Sequence, residues 1–149
     1  MMRFIHLLFA TVVFQLVVTS AGQSSRVGAK PRSKRGTWEL GWLILCATGR
    51  PGYSYIDYGC YCGITDANPG DPVDGVDKCC ESHDQCYRGT SCEDWTSPYL
   101  FFCWWGTVSC WNSEGTCQRQ LCECDRQLVD CFADNPYNAT LLNFCPGKE

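Results

Sequence analysis

The chain has 149 residues, of which 45% are hydrophobic, and a formal net charge of −4; that length suits one domain. All 16 acidic residues lie beyond residue 35, with only 6 of the 12 basic ones, so residues 36–149 carry a net charge of −10. Such a charge argues against nucleic acid, heparin and strongly anionic membranes as partners, and leaves divalent cations and neutral interfaces open.

The chain starts Met1-Met2-Arg3, followed by an apolar run from Phe4 to Val18 and small residues at Thr19 to Gly22. This pattern predicts a secretory signal peptide over residues 1–21, and no later stretch has the length of a membrane span. Residues 22–35 end in Lys30-Pro31-Arg32-Ser33-Lys34-Arg35. A disordered basic tail is one reading. In an exported chain Lys34-Arg35 reads better as a processing site, which makes 22–35 a propeptide and 36–149 the secreted, extracellular domain. All 14 cysteines fall in that domain. An even count at this density in an exported chain implies a disulfide framework. Zinc is a weaker reading, because no two cysteines have the Cys-x-x-Cys spacing.

Thr37 to Ala47 is predicted as a short helix, apolar on most faces and interrupted by Gly41. A buried core helix is one reading; a helix showing Trp38 to a lipid interface is the other. Gly49 to Tyr58 reads as loop, with a turn signal at Arg50-Pro51-Gly52. Ile64 to Pro72 is rich in Asp, Asn, Gly and Pro. Its hard oxygen donors suit calcium, although a solvated surface loop has the same composition.

Asp77-Lys78-Cys79-Cys80-Glu81-Ser82-His83-Asp84-Gln85-Cys86-Tyr87 has no Gly or Pro and reads as helix. On a helix Cys79, Cys86 and the His83/Tyr87 pair share a broad face. His83 is the one histidine beyond the leader. Pinned between cysteines, it is either a core filler or the chemical centre. Arg88 to Pro98 is a connection. Tyr99 to Trp111 is rich in aromatics and reads as a β-hairpin centred on Trp105-Gly106. Cys117 to Phe132 carries Leu121, Cys124, Leu128 and Cys131 at helical spacing. The tail to Cys145 is irregular and holds a glycosylation sequon at Asn138-Ala139-Thr140.

Four motifs resemble secreted phospholipase A2, with the pancreatic and elapid-like (group I) cysteine pattern. They are Tyr58-Gly59-Cys60-Tyr61-Cys62-Gly63, then Pro72-Val73-Asp74, then the Cys79-to-Tyr87 signature, then Cys122-Glu123-Cys124-Asp125. The resemblance covers Gly36 to Cys145, and Cys46 stands eleventh from Gly36, as in the family. It implies a mainly α, disulfide-rich fold: a short N-terminal helix, a calcium loop, two long antiparallel disulfide-linked helices and a small β-hairpin. It also implies the pairing 46–103, 60–145, 62–80, 79–131, 86–124, 92–117 and 110–122. Two of those pairs, 79–131 and 86–124, have equal position sums, so they would clamp antiparallel helices at two points and bring Asp125 within reach of His83.

The implied activity is calcium-dependent hydrolysis of the sn-2 ester of glycerophospholipids at a membrane or micelle surface, zwitterionic by the charge argument. His83 would be the general base on water, positioned by Asp125, with Tyr87 and Tyr99 supporting that carboxylate. Ca2+ would be held by Asp84 and the carbonyls of Tyr61, Gly63 and Thr65, with the Gly63 N–H aiding the oxyanion. Trp38, Trp104 and Trp105 are candidates for the lipid surface. The loop departs from the family: it is two residues longer, and Thr65 stands where a glycine is usual. Glu39 replaces a usual Gln. The alternative is a catalytically weak or inactive secreted module of the same scaffold, acting as a receptor ligand or toxin-like protein; its usual mark, loss of the histidine or the calcium carboxylate, is absent.

Overall fold

The computed structural model describes residues 37–63 and 70–147. The predicted signal peptide, the propeptide and Thr65 lie outside the described residues. Among the described residues, three helices and one hairpin make up the regular structure: α1 (Thr37–Thr48), α2 (Gly75–Gly89), β1 (Phe101–Trp104), β2 (Thr107–Cys110) and α3 (Cys117–Asp134). Short 3-10 turns at Gly52–Tyr55 and Ala139–Leu141 add to these. The chain is thus mainly helical and disulfide-rich. No helix among the described residues is long and apolar enough to cross a membrane.

Each long helix starts on a side-chain cap. Asp74 Oδ1 accepts from Asp77 N–H at 2.9 Å at the start of α2. Thr116 Oγ1 accepts from Arg119 N–H at 3.3 Å at the start of α3. Such caps satisfy an otherwise orphaned donor and contribute about 1 kcal/mol each. The first lies three residues before the predicted start, because residues 75 and 76 join the helix once Asp74 caps it.

α2 and α3 are joined by Cys79–Cys131 and Cys86–Cys124, with Cα separations of 5.8 and 5.7 Å. Positions rise along one helix as they fall along the other, so the pair runs antiparallel. The remaining bridges tie outlying segments to this pair or to each other: Cys46–Cys103, Cys60–Cys145, Cys62–Cys80, Cys92–Cys117 and Cys110–Cys122. A domain this small buries little core, and bridges closing long loops typically add about 2–4 kcal/mol each.

The apolar core lies between α1 and α3. Leu43 and Ile44 of α1 meet Leu121, Leu128, Val129 and Phe132 of α3, with Val76 of α2. Tyr55 stacks on Phe132 at 4.2 Å. α1 is buried on one side only: Trp38, Trp42 and Leu45, spaced four and three apart, form an exposed stripe. Gly41 does not interrupt this helix. It makes room for the turn at Gly52, where a Cβ would sit 2.9 Å from Gly41 Cα. The hairpin is antiparallel with Phe102 opposite Ser109 and Trp104 opposite Thr107, and Trp105-Gly106 forms its turn.

Candidate active site

His83 lies in the middle of α2, facing α3. Its Nε2 is 2.6 Å from Asp125 Oδ1. A carboxylate has no proton to give, so Nε2–H donates and the ring carries its lone pair on Nδ1. Asp125 is fully buried and accepts two further bonds: Tyr87 O–H to Oδ1 at 2.9 Å, and Tyr99 O–H to Oδ2. Tyr99 comes from the segment before β1, so three elements converge on one carboxylate. Burial, then the charge of Asp125 beside it, pushes the Tyr99 hydroxyl far above its ordinary value. It therefore stays a donor at every physiological pH.

The Tyr87 ring stacks obliquely on His83 at 4.5 Å. Trp95 meets Tyr87 edge-on at 5.8 Å. The buried indole Nε1–H of Trp95 has no acceptor among the described residues. An unmet buried donor costs about 1–3 kcal/mol. Sequence reasoning treated residues 88–98 as a connection and missed Trp95. The signal was a lone indole in a polar segment held between Cys92 and Tyr99.

A second buried carboxylate organises the loop. Asp77 is the third residue of α2, where a capping box would send a side chain back to the cap. Instead it accepts from three backbone donors: Cys60 N–H and Tyr61 N–H at 2.9 and 2.7 Å, and Val73 N–H at 3.0 Å. These donors flank both sides of the loop, so one carboxylate pins its two ends. Gly59 lets this happen, because a Cβ there would lie 2.3–2.6 Å from the Asp77 carboxyl atoms, at φ +61°. Tyr58 O–H donates to Asp74 Oδ2. Burial, then that bond, raises the Tyr58 hydroxyl well above its ordinary range. Tyr61 O–H closes the mouth of the loop on Gly70 O at 2.6 Å. The sequence reading used Asp77 only as the start of a motif.

Of the candidate cation ligands, Tyr61, Gly63 and Asp84 are among the described residues. Cys62 is bridged to Cys80 with Cα atoms 5.1 Å apart. Asp84 is four residues beyond Cys80, one turn along the same helical face. Asp84 is half-buried, and Cys62, the bridge partner of Cys80, stands between Tyr61 and Gly63 in the chain. Among the described residues no three His, Cys, Asp or Glu side chains form a metal cluster. One carboxylate with main-chain oxygens is a hard, oxygen-only donor set, which fits calcium rather than zinc. Asn138 is exposed, and its Oδ1 accepts from Thr140 N–H and O–H at 3.1 and 2.8 Å.

A family model described as phospholipase A2 matches residues 37–142. Among known proteins, the chain is 40% identical over 91 residues to a phospholipase A2 of Meiacanthus atrodorsalis, covering 59% of this chain and 58% of that protein. It is 40% identical over 103 residues to the acidic phospholipase A2 PL-I of Walterinnesia aegyptia, covering 65% and 74%. A third relative, the basic phospholipase A2 homolog textilotoxin B chain of Pseudonaja textilis, is 49% identical over 51 residues, 33% of this chain and 40% of that one. The match thus spans little more than half the length of the first of these relatives.

Proposed function

The chain belongs to the phospholipase A2 family, and on that footing we propose that it is a secreted, calcium-dependent enzyme that cleaves the sn-2 ester of glycerophospholipids to a free fatty acid and a lysophospholipid. The observation that carries this reading is the 2.6 Å contact between His83 Nε2 and the buried Asp125. It fixes the tautomer whose Nδ1 can take a proton from water. The seven bridges support an oxidising, extracellular setting.

His83 accepts the proton of a water at Nδ1 as that water adds to the ester carbonyl. The imidazolium so formed is stabilised by the Asp125 carboxylate across Nε2. His83 then returns the proton to the departing glycerol oxygen, and no acyl-enzyme is needed. Gly63 N–H donates to the carbonyl oxygen as negative charge builds there. Asp84 and the main-chain oxygens of Tyr61, Gly63 and Thr65 are the residues that would hold calcium. When bound, calcium supplies positive charge against that same oxygen. The exposed Trp38 and Trp42 stripe, on a domain of net charge −10, suits a zwitterionic surface. Asn138 is proposed to carry an N-linked glycan; a mass loss on amidase treatment, absent in Asn138→Gln, would register it.

The test uses vesicles with a labelled sn-2 acyl chain, with calcium titrated against chelator, beside His83→Gln and Asp84→Lys. The expected result is activity in the parent only, and only with calcium. Activity persisting in either variant or in chelator overturns the mechanism. A second reading, a non-catalytic module on the same scaffold, draws on the relative named a homolog and on Thr65 in a lengthened loop. An inactive parent that still folds would favour it.

A further inference from the structure

The β1–β2 hairpin has two unlike faces. Cys103 and Cys110 are bridged to α1 and α3, and Val108 between them is buried. The alternate residues point away from the body. Phe102 and Trp104 lie on that outer side, and Trp111 extends it, because its N–H continues the ladder to Leu100 O at 2.9 Å. The Phe102 ring stacks on Trp104 at 6.3 Å and on Trp111 at 5.8 Å, with interplanar angles of 10° and 28°. The result is a flat, ordered aromatic surface. Trp104, Trp105 and Trp111 are 64, 88 and 69% exposed.

The turn sharpens the point. Trp105 has φ +50° and Gly106 φ +81°. A two-residue turn of this kind favours Asn-Gly, and a bulky side chain at positive φ is strained. Trp105 is held there although, among the described residues, its one ring contact is the edge of Trp104. Strain and exposure without an intramolecular return point to an external contact.

Area and charge indicate the occupant. With about 150–250 Å2 per aromatic side chain, the exposed fractions of Phe102, Trp104, Trp105 and Trp111 amount to on the order of 600 Å2. The exposed Leu100 at its border enlarges it. That is at or above the top of the ~300–600 Å2 range for the largest patch on a monomer, and approaches the ~800 Å2 that each partner gives to a standard interface. Residues 95–113 contain no charged side chain, in a domain of net charge −10. Two such domains can meet here without burying a carboxylate. Each strand pairs only with the other, so both outer edges keep unpaired backbone groups among the described residues. Face-to-face contact leaves those in-plane groups in water, whereas sinking the hairpin into hydrocarbon would strand them.

We propose that the outer hairpin face is a homodimer interface, through which two copies of the chain pack Phe102, Trp104, Trp105 and Trp111 against their counterparts about a two-fold axis. This assigns Trp104 and Trp105 to a second copy and leaves the α1 stripe to lipid. The contact does not depend on catalysis.

Sedimentation over a concentration series tests it, with the mature parent beside the double variant Trp104→Ser/Trp111→Ser and the single variant Trp105→Asn. The second change suits the turn and keeps the fold in hand. The parent is expected to dimerise, more tightly at higher salt as the like charges are screened. The double variant should weaken dimerisation at least ~30-fold, and Trp105→Asn should weaken it less, both with unchanged turnover of a dispersed short-chain substrate. A parent that stays monomeric to its solubility limit overturns the proposal. So does a dimer that survives both changes, or a monomeric parent whose binding to phosphatidylcholine vesicles is lost in the double variant.

Discussion

Two fully buried carboxylates organise this domain, and they are used in opposite ways. Asp125 accepts from side chains: an imidazole and two tyrosine hydroxyls. Asp77 accepts from main chain: the N–H groups of Cys60, Tyr61 and Val73. Neither is ion-paired to a lysine or arginine among the described residues. Hydrogen bonds to the charged form offset the cost of burial in both cases. Side-chain donors leave Asp125 coupled to a titratable ring, which suits chemistry. Backbone donors tie Asp77 to the main chain, which suits architecture. One centre should govern rate and the other should govern stability and the shape of the cation loop.

The largest expected effect breaks the first centre. His83→Gln removes the base, and vesicle hydrolysis should fall by on the order of 10²–10⁴-fold, while the denaturation midpoint moves little. Asp125→Asn should also cost rate heavily, because an amide oxygen can no longer stabilise an imidazolium. If either variant instead destabilises the domain while keeping near-parent specific activity, the division between the two centres is wrong.

The next effect breaks the second centre. In Asp77→Asn an N–H2 group must face at least one backbone donor, and charge-assisted bonds are lost. Stability should drop by about 3–5 kcal/mol in denaturant titration with disulfides intact. Calcium affinity, read by calorimetry, should weaken in the same variant because both loop ends are released. A stable Asp77→Asn with parent-like calcium binding would show that the bridge at Cys62–Cys80 holds the loop unaided.

The contrast also explains what the sequence made legible. Asp125 could be placed opposite His83 because the partners are residue types, and because two of the cysteine pairs that the family resemblance implies have equal position sums and so describe a clamp. Backbone donors carry no signature, so the role of Asp77 could not be read from the chain. Gly59 is legible only after Asp77 is known, as the position where a side chain would displace that carboxyl group. The helices were readable from periodicity and composition, and the starts of α1 and α3 stood where the sequence placed them, whereas the start of α2 moved to its Asp74 cap. The outward face of the hairpin was ambiguous for a further reason. Aromatic residues in a disulfide-rich chain are as consistent with core as with surface, and only the alternation around Cys103 and Cys110 separates the two.

A smaller effect tests the fit between Gly59 and Asp77. Gly59→Ala adds a Cβ within 2.3–2.6 Å of the carboxyl group, at a φ of +61°. The cost should be about 1–3 kcal/mol, below that of Asp77→Asn, because the carboxylate can shift and keep some of its bonds. Equal costs would mean that the carboxylate has no room to move.

The smallest effect compares the tyrosines at the two poles. Tyr99 supports Asp125, and Tyr58 binds the Asp74 cap beside Asp77. Both hydroxyls are held above the ordinary tyrosine value of 10.0, chiefly by burial. The native state therefore keeps these protons where the unfolded chain loses them. Their contribution to stability is complete below pH 10 and declines as pH rises beyond it. Replacing either tyrosine by Phe should cost about 1 kcal/mol near neutral pH and flatten the alkaline decline. Only Tyr99→Phe should also alter the pH profile of hydrolysis, since it alone touches the carboxylate that orients His83. If Tyr58→Phe shifts that profile equally, the loop and the catalytic cluster are coupled more closely than two separate buried carboxylates allow.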